Sequence, residues 1–373
     1  MRRSKLLSVV VPAFNARQRL GRCLDSLLIR NQELLAALEV IVVNDGSTDD
    51  TSEIAHRYSA AYPDVFVVID KENGNSGSCV NAALSVARGR YFRELDSDDW
   101  LDTDALEAFV GLLADCREDI VSTLKRDHFP DGHTFSYEGI GVDYDTTCLL
   151  DEFRFKRPMD KVHFTMHAMS YRTDFLRSIC YRQLEGLFYT DQDLCYFPLK
   201  AARDIRFSRL CVYQYSEGRD DQSIAICNVI KYKHDIFLIA KQLLEDFISV
   251  ENKLSENRRR VLLEIVYNPV FAFYSVSGNP YEPDVEELNR LVDLQTDLKQ
   301  RMDELFAICR NNNTDMTNEE IKKLQEELEK KKAEIKAIYN ELIEAGAWPL
   351  DDEALDIVGG GRGFTYTGSL GFR

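Results

Sequence analysis

The sequence predicts an α/β domain on a mostly parallel central sheet, followed by an α-helical C-terminal region. Three observations carry that expectation. Between Leu6 and Leu124 short continuous apolar runs alternate with stretches of helical periodicity, the pattern of βαβ units whose strands are covered on both faces. The polar clusters Pro12 to Asn15, Asn44 to Asp50 and Asp96 to Asp99 each begin where an apolar run ends, and open α/β sheets bind ligands beyond the carboxyl ends of their strands. Past Ala225 the pattern becomes strongly helical.

Each element follows from its own residues. LLSVVVPAF is the first strand, and a helix from about Leu20 to Asn31 follows it. EVIVVN leads into a helix from Thr51 to Tyr62, and VFVVID into one from about Ser78 to Ala87. YFRELD leads into a helix from Thr103 to Asp115 and then the strand DIVSTL. Residues 126 to 225 are less regular, with HFTMHAMSYR and LCVYQYS as strand candidates. After Tyr281 come two long amphipathic segments separated by Asn311-Asn-Asn-Thr-Asp. The second opens with the capping-box pattern Thr317-Asn-Glu-Glu320 and sets Ile321, Leu324, Leu328, Ile335, Ile338 and Leu342 on a heptad seam that Lys331 interrupts. A helical hairpin packed on itself is the reading, with a partner or self-association surface as the alternative. Residues 358–373 form a Gly-rich tail.

Composition excludes several function classes. A net charge of −17 with a pI near 4.9 argues against nucleic-acid binding, which needs clustered Lys and Arg. The apolar run after Arg2 and Arg3 continues directly into Asn15 and Arg17, so it reads as a buried strand rather than a secretion signal. No stretch approaches the roughly 20 apolar residues of a membrane-spanning helix. Nine cysteines, an odd count without a CxxC pair, fit a reducing compartment. A cytoplasmic protein is the expectation.

Four constellations carry chemistry. Pro12, Phe14 and Asn15 close the first strand, and Asp45 with Gly46 closes the second ahead of a Ser/Thr-rich helix start. A carboxylate there can accept hydrogen bonds from a base or ribose, although Asp, Ser and Thr also serve as ordinary helix caps. The loop Lys71 to Asn81 contains Gly74 and Gly77 and opens a helix, where backbone can approach an anion closely. It lacks the GxxxxGK[ST] pattern of a P-loop. Asp96, Asp98 and Asp99 crowd three carboxylates into four residues, which reads as a metal and ribose site for Mg²⁺ or Mn²⁺, with a solvated turn as the plain alternative. The fourth is Thr190-Asp-Gln-Asp193 with Tyr213, Tyr215 and Arg219 further on. His163 and His167 have i, i+4 spacing, but their segment reads as a strand, so a zinc pair is not expected.

PAFN, then NDGSTDDT, then the Gly-rich loop ending in Asn81, then DSDDW resembles, in order and spacing over residues 6 to 110, the family 2 glycosyltransferases of GT-A fold. The resemblance implies a GT-A catalytic domain over 1–225, with a nucleotide-sugar-binding half at 1–125 and an acceptor half at 126–225, and a helical region over 226–357. It implies that Pro12 and Phe14 line the nucleobase pocket, that Asp45 reads the base, and that Asp96 contacts the ribose. Asn15, Gly46, Gly77 and Asn81 would complete the nucleotide-sugar site. Asp98 would coordinate the cation, Mn²⁺ or Mg²⁺, that bridges the diphosphate. Val80 stands where many members have an Arg, which leaves open which cation touches the phosphates. Asp191 matches the general base, although Thr190 replaces the usual Glu before it and Asp193 is a second candidate. Arg219 is expected either near the donor phosphates or acceptor, or in a surface ion pair.

The implied activity is inverting transfer of a sugar, from a UDP-sugar, to the hydroxyl of a saccharide or lipid-linked acceptor. Peripheral association with the inner membrane face, and a homo-oligomer through the C-terminal helices, stay open. A sugar nucleotidyltransferase is disfavoured because the loop PAFNARQR lacks a Gly-rich, basic triphosphate loop. A non-catalytic scaffold acting through its C-terminal helices is the remaining alternative.

Overall fold

The computed structural model describes residues 4–136, 141–156, 163–218, 222, 225–277 and 282–303. Arg219, the seam from Ile321 to Leu342 and the Gly-rich tail lie outside them. The order is β1 Leu7–Ala13, α1 Leu20–Asp25, α2 Gln32–Ala37, β2 Leu38–Asp45, α3 Thr51–Ala61, β3 Phe66–Lys71, α4 Asn75–Val86, β4 Tyr91–Glu94, β5 Trp100–Leu101 and α5 Thr103–Leu113. It continues with β6 Ile120–His128, β7 Thr134–Ser136, β8 Thr146–Leu149, β9 Met169–Arg172, α6 Thr173–Ser178, α7 Asp191–Ala201 and β10 Asp204–Ser216. The helices α8 Ile226–Lys231, α9 Lys233–Val250, α10 Glu256–Val276 and α11 Pro283–Leu294 follow.

One sheet runs in the order β3-β2-β1-β4-β9-β6-β10-β5, with β7 on β6 and β8 on β10. The first four strands are parallel. β9 lies antiparallel between β4 and β6, and β6 is parallel to β10. All eight residues of β2 are buried, as a strand covered on both faces requires. Along β1, Val9 and Val11 enter one core cluster and Val10 the other, the two-residue period of a strand between two layers.

Two expected elements differ. The single helix from Leu20 to Asn31 is broken, because Asn31 caps a new helix: its side chain accepts from the backbone N–H of Glu33 (3.0 Å) and Leu34 (3.2 Å). Of the strand candidate His163 to Arg172 only Met169–Arg172 is β; residues 163–168 form turns that carry the chain over to β4.

The C-terminal helices join the larger core. α10 packs on α7 and α9, and α11 packs on α9, burying Leu288 completely together with Val285, Val292, Leu298 and Met302. We expect Leu288→Ala to lower stability by about 2–5 kcal/mol, the range for emptying a buried leucine site, read as a fall in Tm. No described helix is long and apolar enough to cross a membrane.

Candidate active site

The carboxyl ends of β1, β2, β4 and β10 open on one side of the sheet, and the expected polar clusters gather there. Asp45, at the end of β2, is nearly buried and takes Lys71 Nζ at 2.6 Å on Oδ1. The Gly74 N–H also donates to Asp45, at 3.0 Å to Oδ1 and 3.3 Å to Oδ2. Lys71 Nζ reaches Ser78 Oγ in α4 at 2.8 Å, so one ammonium ties the β2 carboxylate to the Gly-rich loop. Gly46 adopts φ +73, and a Cβ there would meet Asn73 N at 2.9 Å, which leaves glycine the residue for that turn. Asn15, at φ +49, accepts Thr48 N–H on its side chain at 2.9 Å, while its own N–H donates to Ser47 Oγ at 3.0 Å. Beside it Phe14 is 52% exposed and Pro12 half-buried.

The acidic turn is folded by its own backbone. Asp99 N–H donates to Asp96 O at 3.1 Å, which brings these two residues onto one side of the turn. Asp99 is buried: Oδ2 accepts from Tyr213 Oη at 2.8 Å and Oδ1 from Ser216 N–H at 2.8 Å. Burial, with Asp98 and Asp96 adding repulsion, holds its carboxyl well above the usual range. His167 Nε2 lies 3.8 Å from Asp96 Oδ2. Asp96, Asp99 and His167 thus offer ligand atoms within 4.8 Å of one another. The expected metal ligand Asp98, half-buried, falls outside that trio, because the i to i+3 bond pairs Asp96 with Asp99 instead.

The trio fits a divalent cation. Two oxygen donors and an imidazole suit Mn²⁺ as well as harder ions. His167 is driven neutral first by burial and then by Lys125 and Arg93, and its Nδ1 is buried without a hydrogen-bond partner. The turn that carries it is held by Arg93, fully buried, whose guanidinium donates to the His167 carbonyl, to Thr123 Oγ1 at 3.1 Å and to Ser170 Oγ at 3.2 Å. His163 stands apart, against Tyr144 and Phe207, so the i, i+4 pair is not a metal pair.

Asp191 opens α7. It accepts from its neighbour Gln192 Nε2 at 2.9 Å, and burial pushes its carboxyl up to about 6. Asp193, two residues on in the same first turn, is fully buried, accepts the Leu184 N–H at 3.2 Å, and is pushed up to about 7 by burial and then by Asp191. Sequence reasoning passed over Glu94, the last residue of β4. It is 1% exposed, accepts from Ser76 Oγ in α4 at 2.7 Å, and is pushed up to about 8 by burial, Asp96 and Asp191. Two charged residues, Arg93 and Glu94, at the end of a short strand were the available signal.

Two residues expected at the donor also touch the segment 181–189. Asn81 gives its amide to residues 181–189: Nδ2 donates to Gln183 O at 2.8 Å and Glu185 Oε1 at 2.9 Å, and Oδ1 accepts Gln183 N–H at 2.9 Å. At Gly77 a Cβ would sit 1.8 Å from the Leu184 carbonyl oxygen. Gly77→Ala therefore forces that segment off α4, and we expect a loss of about 1–3 kcal/mol, the usual effect of overpacking, seen as a lower Tm.

The sheet is mixed, and the Gly-rich loop and the acidic turn both follow strands that end at its carboxyl edge. Residues 8–179 match the family model of glycosyl transferase family 2. The chain is 40% identical over 131 residues to the chondroitin synthase of Pasteurella multocida, an alignment covering 35% of this chain and 13% of that protein. It is 34% identical over 116 residues to the poly(ribitol-phosphate) beta-glucosyltransferase of Bacillus spizizenii, covering 31% and 18%. The chain thus spans a small part of these relatives' length. The crystal structure of Staphylococcus aureus TarS 1–349 with UDP-GlcNAc superimposes with a TM-score of 0.51 at 22% identity, covering 79% of this chain and 81% of that one; the likeness is one of fold.

Proposed function

We propose that this chain is an inverting, cation-dependent glycosyltransferase that moves a sugar from a UDP-sugar to an acceptor hydroxyl in making a cell-surface polysaccharide or glycoconjugate. The observation that carries this is Asp191, a half-buried carboxylate at the start of α7 that desolvation pushes up to about 6 and that, like Asp96, bears on Glu94. A base with a pKa just below neutrality is ionised at working pH and still basic enough to take a proton. The polysaccharide assignment draws on the 131-residue likeness to chondroitin synthase.

In this reading Pro12 and Phe14 flank the nucleobase, and Asn15 and Gly46 shape the loop beside it. Asp45, whose Oδ1 is committed to Lys71, turns Oδ2 to the base. Asp96 meets the ribose, and Asp98, beside the trio of Asp96, Asp99 and His167, would join it in holding Mn²⁺ or Mg²⁺, which when bound offsets charge on the departing diphosphate. Lys71 and the amino end of α4 supply the positive potential that an Arg in place of Val80 would otherwise bring. Asp191 accepts the acceptor's proton as its oxygen attacks opposite the leaving group, which inverts the anomeric centre. The acceptor is a saccharide or a lipid-linked saccharide at the cytoplasmic face of a membrane.

The test is release of nucleoside diphosphate from a panel of UDP-, GDP- and CDP-sugars with Mn²⁺, with the anomeric configuration of any product read by NMR. Release from one UDP-sugar with inversion is expected. Binding of no nucleotide, or a retained configuration, overturns the reading.

A further inference from the structure

Resting on that reading, we propose that Asn81 and Asp193 are positioning residues, which fix the segment 181–189 across the first turns of α4 and thereby set where Asp191 stands relative to the donor loop. The segment leads directly into α7, so its placement is the placement of Asp191. It is fastened to α4 by the Asn81 side chain, which donates two hydrogen bonds and accepts one, and to the residue capping α4 by the Gly186 N–H, which donates to the Gly74 carbonyl at 2.8 Å. The Leu184 carbonyl fits against Gly77 where no Cβ has room.

From the other side Asp193 accepts the Leu184 N–H. Gln183 Nε2 donates to the buried Thr190 Oγ1 at 3.0 Å, and the Phe188 N–H donates to Asp235 Oδ2 in α9 at 3.0 Å. The segment starts just after one left-handed residue that is not glycine, Cys180 at φ +53, and ends on another, Tyr189 at φ +63. For a bulky residue such as Tyr189, that conformation persists only where the surroundings impose it. Gly74 itself binds Asp45. One continuous set of contacts therefore runs from the base-reading carboxylate through the Gly-rich loop to Asp191.

The experiment uses the full chain and the UDP-sugar that wild type turns over. Asn81→Ala is expected to leave UDP affinity with Mn²⁺ within about threefold while lowering kcat about tenfold or more, in the range by which misplacement of a catalytic group slows a reaction. Loosening Asp191 from its half-buried seat should also move the acid limb of kcat to lower pH. Amide exchange should quicken at residues 183–186 and not in β1 or β2. Asp193→Ala should reproduce the kcat loss, and Asp193→Asn, which keeps an acceptor for Leu184, should restore most of it.

An equal loss of UDP affinity and kcat in Asn81→Ala would make Asn81 a donor ligand and overturn the proposal. Unchanged kcat and pH profile in both Asn81→Ala and Asp193→Ala would overturn it too. Wild-type protein that binds UDP yet turns over no sugar nucleotide would instead sink the transferase reading, and the positioning role with it.

Discussion

Asp191→Asn should lower sugar transfer by about 10²- to 10⁴-fold, the usual contribution of a general base, while UDP and Mn²⁺ bind as before. The amide keeps the shape and the hydrogen bond from Gln192 but cannot take a proton. Two further readouts separate a base from a helix cap. In wild type, kcat should fall as pH drops through about 6, where burial has placed the Asp191 carboxyl. Stability should move the other way. A carboxyl whose folded pKa is raised stabilises the fold below its unfolded value near 3.9, and that contribution is lost as pH rises through the folded pKa. Asp191→Asn, which never ionises, should therefore be at least as heat-stable as wild type at pH 7.5, with its relative advantage fading toward pH 4. Asp193→Asn is the control and should affect transfer far less. If the two variants exchange behaviours, the base is Asp193. If neither affects turnover, the base lies on another element.

The second large effect is expected at the acidic turn. Asp98→Asn should keep the fold and weaken Mn²⁺-dependent UDP binding by more than the roughly 10- to 100-fold that follows loss of an outer-shell partner, because an amide is a poor ligand for a hard cation. Calorimetry with UDP and Mn²⁺ reads this directly. His167→Gln tests the trio itself: it should weaken Mn²⁺ more than Mg²⁺, since imidazole favours the softer ion. Unchanged binding in Asp98→Asn together with a loss in His167→Gln would assign the cation to Asp96, Asp99 and His167, and leave Asp98 in solvent.

What was legible in the sequence was whatever a single strand or turn encodes. The apolar run of β2 ends at Asp45 and that of β4 runs into DSDD, so the carboxyl-edge position of both clusters follows from local pattern. What was not legible depends on partners far along the chain. His167 reaches the acidic turn only because β9 inserts between β4 and β6, and the apolar spacing of HFTMHAMSYR suggested a strand where turns occur. Asn81 and Gly77 lie in a Gly-rich loop whose contact with Gln183 and Leu184, about a hundred residues later, leaves no local mark in the sequence. Glu94 looked like one more strand residue until Ser76 and Asp191 were placed beside it.

The antiparallel insertion of β9 also bears on how the chain folds during synthesis. β4 pairs with β1 on one side and with β9 on the other, and β9 is also the neighbour of β6. Until residues 169–172 emerge, β4 and β6 both present unpaired edges, and an open apolar edge is a template for pairing with another chain. Domains fold from their amino end as they are made, so the donor half waits about 75 residues, from the end of β4 to the start of β9, for the strand that closes it. A fragment ending after β6 should accordingly aggregate where one that includes β9 and α6 stays dispersed, and chaperone dependence should be concentrated in that interval of translation.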